Sequence, residues 1–173
     1  RYRFFSVSLP TEYKSIKHKE NMNIGDKAPE ILGTDQDGKE IRLSDYKGQK
    51  VVLYFYPKDS TAGCTAQACN LRDNYDALRA KGYAVVGVSI QDEKSHRKFI
   101  EKNGLPFPLI ADTDLKLVET FGVYGEKKMY GRTYMGTYRT TFILNEDGIV
   151  ERILGPRQIR TKDHAGQILA EEK

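Results

Sequence analysis

The stretch 51–81 constrains the fold of this 173-residue chain more than any other, because it predicts a buried strand, a polar loop and a helix in direct succession. Val51–Tyr56 is a run of six apolar or aromatic residues, which is typical of a strand covered on both faces. Pro57 ends this strand, and the loop that follows is polar. Ser60 or Thr61 in the loop is suited to cap the next helix.

The helix after this loop carries a cysteine in its first turn. Its apolar positions recur at spacings of four, three, four and three residues and share one helix face: Cys64, Ala68, Leu71, Tyr75 and Leu78. Lys81 and Gly82 are expected to end it. Cys64 therefore lies where unpaired N–H groups and the helix dipole favour an anion, and so favour thiolate over thiol. This position predicts a reactive cysteine; the alternative is a small thiol that only packs in the core.

The second of the two cysteines, Cys69, lies five residues further along the same helix. Ideal helix geometry separates the two Cα atoms by about 8.6 Å and by about 140° around the axis. A disulfide requires Cα atoms within about 7 Å, so the pair can bond only if the first turns of the helix unwind. Cys69 is expected on the polar flank of the helix, either near the surface or covered by a loop.

Composition and charge fit one ordinary globular domain. Hydrophobic residues make up 39% of the chain and charged residues 30%, and no apolar run approaches the ~18 residues that cross a bilayer. The formal charge is +4, of which residues 1–21 hold +3, with five Lys or Arg against two Glu. This small net positive charge gives no support for nucleic-acid binding. Two cysteines are too few for a secreted disulfide scaffold, so we expect a cytoplasmic protein.

The residues around Cys64 match a family signature. Pro57, Thr61 and Cys64, in the pattern Pro-x-x-x-Thr-x-x-Cys, resemble the active-site signature of the peroxiredoxins. The longer run YFYPKD at 54–59, followed by GCT at 63–65 and by Ala68-Cys69, resembles the branch called bacterioferritin comigratory protein or peroxiredoxin Q. The resemblance extends from Asn23–Pro29 to the C-terminal helix. It departs at Ala62, where that branch usually has proline.

The resemblance implies a thiol-dependent peroxidase for hydrogen peroxide and organic hydroperoxides. Cys64 would be the peroxidatic thiolate, which becomes a sulfenic acid. Thr61 would orient the peroxide and hydrogen-bond the sulfur, and Pro57 would shape the loop and exclude water. Arg139, which matches the family's active-site arginine, would hold the thiolate and stabilise the departing oxygen. Cys69 would resolve the sulfenic acid as a Cys64–Cys69 disulfide, which thioredoxin or a similar dithiol would reduce.

The rest of the chain alternates strands and helices, which predicts a parallel sheet flanked by helices. With the resemblance, the expected fold is a thioredoxin-like α/β fold with a central, mostly parallel sheet and an N-terminal β-hairpin elaboration. Hairpins are predicted around Asp37-Gly38 and around 145–148. Further elements are a strand at 83–90, helices at 93–103, 112–121 and 162–173, an irregular edge strand at 105–110, and a long loop at 122–136.

We expect residues 22–173 to form the peroxidase domain and residues 1–21 to be an N-terminal extension: an upstream translation start, a trimmed targeting remnant or an artificially added sequence. The extension is basic and acid-poor, with a faint likeness to an organellar presequence. The three histidines, His18, His96 and His164, are predicted to be solvated. The tyrosines are interpreted as packing residues, with Tyr54 and Tyr56 available to line the pocket. No cofactor or metal is expected, and the protein is expected to be a monomer or weak homodimer.

Two other functions compete with the peroxidase. A thiol–disulfide oxidoreductase or redox sensor on the same fold would normally have two residues between its cysteines, whereas this chain has four. Reduction of insulin without peroxide would favour that function. A metal-binding module that uses Cys64 and Cys69 would need further cysteine or histidine ligands nearby, and elemental analysis of the purified protein tests it directly.

Overall fold

The computed structural model describes residues 21–170. The predictions for residues 1–20, including that for His18, therefore lie outside the described residues. The strands in this range are Ile31–Thr34 (β1), Glu40–Arg42 (β2), Lys50–Phe55 (β3), Tyr83–Ser89 (β4), Leu109–Ala111 (β5), Tyr124–Met129 (β6), Arg132–Thr137 (β7), Thr140–Leu144 (β8) and Val150–Leu154 (β9). The α-helices are Ala62–Asp73 (α1), Tyr75–Ala80 (α2), Glu93–Asn103 (α3), Lys116–Thr120 (α4) and His164–Leu169 (α5), and short 3₁₀ turns span Leu43–Tyr46 and Thr161–Asp163.

The central sheet has the strand order β5-β4-β3-β8-β9. Strands β3, β4 and β5 pair in parallel, whereas β8 pairs antiparallel with both β3 and β9. The predicted thioredoxin-like α/β architecture is confirmed, but the four pairings within the described residues are divided evenly, so the sheet is mixed rather than mostly parallel. The tight hairpin between β8 and β9 forces one of the two antiparallel pairs. The other joins β3 to β8, which lie far apart along the chain.

Alternate residues of β3 enter two separate cores, one on each face of the sheet. Val51, Leu53 and Phe55 pack on the face that also buries the β1–β2 hairpin and α4. Val52 and Tyr54 pack on the opposite face, against α1, α3 and α5. Burial on both faces explains why the sequence of β3 is continuously apolar instead of alternating. The cysteine helix therefore lies directly on the central strand.

One predicted helix is divided in the structure, and one predicted loop is a hairpin. The single helix expected from Cys64 to Leu78 is divided at Asn74 into α1 and α2. The segment 122–136 is not a long loop: most of it forms the β6–β7 hairpin, whose turn at Tyr130 and Gly131 has φ values of 50° and 75°. Most of the hairpin's side chains are exposed or only partly buried, so it lacks the apolar alternation that would have revealed strands.

Most other local predictions hold. The hairpins at β1–β2 and β8–β9 form as expected, α3 ends at Gly104 in the left-handed conformation, and β5 is a short strand at the edge of the sheet. The 3₁₀ turn at Thr161–Asp163 and α5 replace the longer helix predicted at 162–173, whose last three residues lie outside the described range.

Between residues 21 and 170, none of the helices has the length and apolar character needed to cross a bilayer.

Candidate active site

The cysteine predicted to be reactive occupies the first turn of α1. The chain leaves β3 at Phe55, crosses the loop that begins at Pro57, and enters the helix with Thr61 at the N-cap position. Cys64 is the third residue of α1 and is 1% exposed. Its side chain packs in the core shared with Tyr54 and Tyr56.

A guanidinium group lies against the sulfur of this buried thiol. Arg139, just before β8, donates from Nη2 to Cys64 Sγ at 3.4 Å and from Nη1 to Gln67 Oε1 at 2.6 Å. The thiol is therefore not enclosed by hydrocarbon alone, since a fixed positive charge contacts it. One arginine thus spans two residues that are one helical turn apart on α1.

A glycine makes this close approach possible. A Cβ atom built at Gly63 would lie 3.1 Å from Arg139 Nη2, which is tighter than an ordinary van der Waals contact. A side chain at position 63 would therefore push the guanidinium group outward. Glycine is unfavourable inside a helix relative to alanine, so its presence in α1 fits a need for space.

The β6–β7 hairpin brings a second cation near Arg139. Lys127, in β6, is half-buried and donates from Nζ to the carbonyl oxygen of Thr137 at 3.1 Å. Burial and the like charge of Arg139 lower the pKa of Lys127, and the nearby Cys64 opposes that shift. The hairpin that the sequence did not reveal therefore forms one side of the site.

Thr61 and Pro57 lie in the loop before α1, and their hydrogen bonds are made to Lys58 and Gln91, not to the sulfur. The hydroxyl of Thr61 is exposed and donates to the carbonyl oxygen of Lys58 at 2.8 Å. Pro57 is half-buried, and its carbonyl oxygen accepts a long hydrogen bond of 3.5 Å from Gln91 Nε2. Of the predicted site residues, the structure brings Arg139 directly to Cys64 and leaves these two within the adjoining loop.

Cys69 lies near the other end of α1 and carries a free thiol, as Cys64 does. It is half-buried, and its Sγ lies 3.7 Å from Asn103 Oδ1 at the C-terminal end of α3. Cys69 was predicted to lie either near the surface or under a loop. In the structure it is partly covered, by the end of α3 instead of a loop. Because α1 is continuous from Ala62 to Asp73, a bond between the two cysteines requires this helix to open.

Two buried polar groups near Cys64 were not predicted as catalytic residues, although Tyr54 was expected to line the pocket. Tyr54 Oη and Gln67 Nε2 have no hydrogen-bond partner among the described residues. Burial, and then the nearby Cys64, raise the pKa of Tyr54 well above its usual range, which keeps the phenol protonated as a donor. Gln67 has a recognisable sequence signal, because it lies three residues after Cys64 and next to Ala68 on the apolar face of the helix.

The prediction that His96 and His164 are solvated is wrong. Both are fully buried. His96 is hydrogen-bonded to Asp59 at 2.6 Å, and His164 Nε2 pairs with Thr141 Oγ1 at 2.8 Å. His96 lies three residues before Phe99, on the face of α3 that packs on the sheet, and this spacing was masked by the charged residues around it.

Comparison with known proteins agrees with the geometry of the site. The family model described as AhpC/TSA matches residues 24–153, which include both cysteines and Arg139. The chain belongs to the AhpC/TSA family. Peroxiredoxin Bcp of Bacillus subtilis is 42% identical to it over 148 residues, covering 86% of this chain and 93% of that protein. Peroxiredoxin Bcp of Escherichia coli K12 is also 42% identical over 148 residues, covering 86% of this chain and 94% of the relative.

Solved structures of the same branch share its fold. A cysteine-to-serine mutant of Xylella fastidiosa PrxQ superposes with a TM-score of 0.78 at 33% identity, covering 87% of this chain and 94% of the other. The Xanthomonas campestris bacterioferritin comigratory protein, solved in work on its alkyl peroxide reduction activity, gives 0.73 at 33% identity, with 84% and 96% coverage. This peroxiredoxin therefore belongs to the Bcp/PrxQ branch and is a thiol-dependent peroxidase.

Proposed function

We propose that the protein reduces hydrogen peroxide and organic hydroperoxides with Cys64 as the peroxidatic residue. The observation that supports this assignment most directly is the 3.4 Å contact between Arg139 Nη2 and Cys64 Sγ at the start of a helix. The thiolate attacks the terminal oxygen of ROOH, the O–O bond breaks, and the RO⁻ fragment leaves as ROH after it takes up a proton. Cys64 then carries the oxygen as a sulfenic acid.

Arg139 acts on both the nucleophile and the leaving group in this proposal. A guanidinium group is permanently charged and presents several N–H donors in a fixed plane. As charge moves from sulfur to the departing oxygen, these donors stabilise the transition state. Its second hydrogen bond, to Gln67 Oε1 at 2.6 Å, holds the guanidinium group in orientation. Thr61 orients the incoming peroxide once it releases the Lys58 carbonyl, and Pro57 keeps water from the sulfur.

Cys69 completes the cycle as the resolving thiol. After α1 opens, the Cys69 thiolate attacks the sulfenic acid sulfur, hydroxide departs as water, and a Cys64–Cys69 disulfide forms. A dithiol protein of the thioredoxin type then reduces this disulfide by exchange and becomes oxidised itself. The half-buried position of Cys69, on the same helix as Cys64, is consistent with this order of events.

The substrate range and setting follow from the same proposal. Alkyl hydroperoxides are included because the Xanthomonas campestris relative was studied for alkyl peroxide reduction. We place the activity in residues 22–173, with 1–21 as an appended segment, in a cytoplasmic protein that is a monomer or weak homodimer.

Mass spectrometry after one equivalent of hydrogen peroxide tests the assignment of the cysteines. The unmodified chain should lose two hydrogens and yield a peptide cross-linked between Cys64 and Cys69, whereas Cys69→Ser should gain one oxygen on Cys64. Full peroxide turnover by Cys64→Ser would refute the proposal. Amide hydrogen exchange should show residues 64–72 protected in the reduced protein and exposed in the oxidised one; equal protection would argue against opening of α1.

A further inference from the structure

The loop before the cysteine helix is anchored by one buried side chain. Lys58, Ser60 and Thr61 are exposed, whereas Asp59 between them is 7% exposed. This carboxylate is therefore the point at which the loop enters the protein interior. It lies between Pro57 and Thr61, the two loop residues of the proposed peroxide site.

Three donors from two different elements surround the Asp59 carboxylate. The hydroxyl of Tyr56, directly after β3, donates to Oδ1 at 2.6 Å. Ser95 Oγ and His96 Nδ1, both in the first turn of α3, approach Oδ2 at 2.8 Å and 2.6 Å. Because these groups come from the end of the central strand and from a packed helix, both oxygens of the carboxylate are held in place.

Asp59 and His96 form a buried hydrogen-bonded pair. His96 Nε2 lies 2.9 Å from the carbonyl oxygen of Ile110, which can only accept, so Nε2 carries a proton. Burial is the largest single influence and by itself would raise the pKa of Asp59, but the hydrogen bond and attraction of His96 and the hydrogen bonds from Tyr56 and Ser95 together outweigh it, and the pKa lies below its usual range. His96 and Asp59 are therefore a buried, directly hydrogen-bonded pair.

The backbone of the loop is held by the same region of the protein. Asp59 N–H donates to Gln91 Oε1 at 3.1 Å, and the side-chain nitrogen of Gln91 reaches the Pro57 carbonyl oxygen. Ser60, the next residue, has the left-handed φ of 61° and turns the chain into α1. A buried pair of this kind contributes little to stability compared with apolar packing, because desolvation offsets its attraction. Its contribution here is to fix the position of Asp59 and therefore of the loop.

We propose that Asp59 is a positioning residue for peroxide reduction. Tyr56, Ser95 and His96 hold its carboxylate, and the carboxylate in turn holds the loop 57–61 in the conformation that places Thr61 and Cys64 for the reaction. This inference rests on the proposed function, since it assigns a role in the same reaction. Asp59 does not touch the reacting atoms; it acts through the loop. Misplacement of a reacting group by about 1 Å can lower a rate by on the order of 10²-fold.

The test compares two reactions of Cys64 in a Cys69→Ser background. Oxidation by hydrogen peroxide needs the whole site, whereas alkylation by iodoacetamide needs only an accessible thiolate. For Asp59→Ala we expect the peroxide rate to fall roughly 10- to 100-fold while the alkylation rate changes less than about threefold. Asp59→Asn should keep the peroxide rate within about threefold, because a neutral His96 can accept from the new amide and still donate to Ile110.

Asp112→Ala is the matched control, because Asp112 is also a buried carboxylate but caps α4 through the N–H groups of Leu117 and Val118. It should lower the melting temperature without changing the ratio of the two rates. If Asp59→Ala does not fold by circular dichroism, Tyr56→Phe carries the same test, with an expected loss of about 3- to 10-fold in the ratio. An unchanged ratio in the folded variant overturns the inference. Failure of the parent Cys69→Ser protein to react with peroxide at all would instead refute the proposed function.

Discussion

Asn70 ties the cysteine helix to the C-terminal part of the chain, and its removal should accelerate formation of the disulfide. Asn70 lies next to Cys69 in α1. Its Nδ2 donates to the carbonyl oxygen of Lys162 at 2.9 Å, and its Oδ1 accepts from the N–H of Ala165 at 2.8 Å. Both bonds join α1 to the segment that contains α5, and both must break when α1 opens around Cys69.

The expected size of the effect follows from these two bonds. A hydrogen bond contributes a net 0.5–1.5 kcal/mol, and because Asn70 is half-buried we take about 1–2 kcal/mol for the pair. Since every 1.4 kcal/mol is tenfold in an equilibrium constant, Asn70→Ala should raise the open population of α1 roughly 5- to 30-fold. If opening limits resolution, the rate of disulfide formation rises by up to that factor. Oxidation of Cys64 to sulfinic acid at high peroxide should fall accordingly.

The assay is rapid mixing with peroxide, acid quenching and mass spectrometry of the disulfide, together with hydrogen exchange of residues 64–72. Asn145→Ala is the control, since Asn145 also makes two hydrogen bonds, with the N–H groups of Asp147 and Ile149, but in the β8–β9 turn. It should leave disulfide formation unchanged. Faster exchange in Asn70→Ala with an unchanged disulfide rate would show that opening does not limit resolution, and unchanged exchange would show that Asn70 does not hold the helix.

Three further predictions concern the site and its surroundings. Arg139→Met should slow oxidation of Cys64 by about 10²–10³-fold, because it removes a preorganised donor, whereas Arg132→Met on the exposed β6–β7 hairpin should have no effect in the same stopped-flow assay. Gly63→Ala should stabilise the protein by up to about 1 kcal/mol through helix propensity. It should also slow oxidation of Cys64 by peroxide roughly threefold to tenfold, because the new methyl group displaces Arg139. Unchanged kinetics would show that the reaction tolerates this displacement of the guanidinium group. Burial lowers the pKa of His164 from 6.5 to about 4, so the imidazole binds a proton more tightly in the unfolded chain than in the folded one. The free energy of unfolding should therefore decrease by about 3 kcal/mol as pH falls from above 6.5 to below 4. Urea unfolding between about pH 7 and pH 4.5 should show that the free energy of unfolding depends less steeply on pH in His164→Gln than in the unmodified protein. An equal dependence on pH in both proteins would contradict the lowered pKa of His164.

Local sequence patterns were sufficient wherever the determining contacts lie within a few residues. The continuous apolar run before Pro57 indicates a strand buried on both faces, and the apolar spacing after it places Cys64 in the first turn of a helix. Gly104 ends α3 because a left-handed residue is needed there, and glycine adopts that conformation without strain. These signals depend on steric and hydrogen-bonding rules that act over one or two turns.

The arrangement of the site depends on contacts that such patterns do not encode. Arg139 follows Cys64 by 75 residues, and only the resemblance to known peroxiredoxins suggested that it acts on the sulfur. In the structure its Nη2 lies 3.4 Å from Cys64 Sγ. The role of His96 was missed because a histidine among charged residues predicts solvent exposure, and its burial becomes favourable only when Asp59 supplies a hydrogen-bond partner. The β6–β7 hairpin was missed because it is stabilised by cross-strand pairing without an apolar face.

The sequence by itself therefore determined the strand, loop and helix that carry the thiol, because each is specified by neighbours along the chain. Only the tertiary structure decided which charges meet that thiol and the loop before it. A buried polar or charged group is stable only beside a partner, and the partner is supplied by the way distant strands and helices pack.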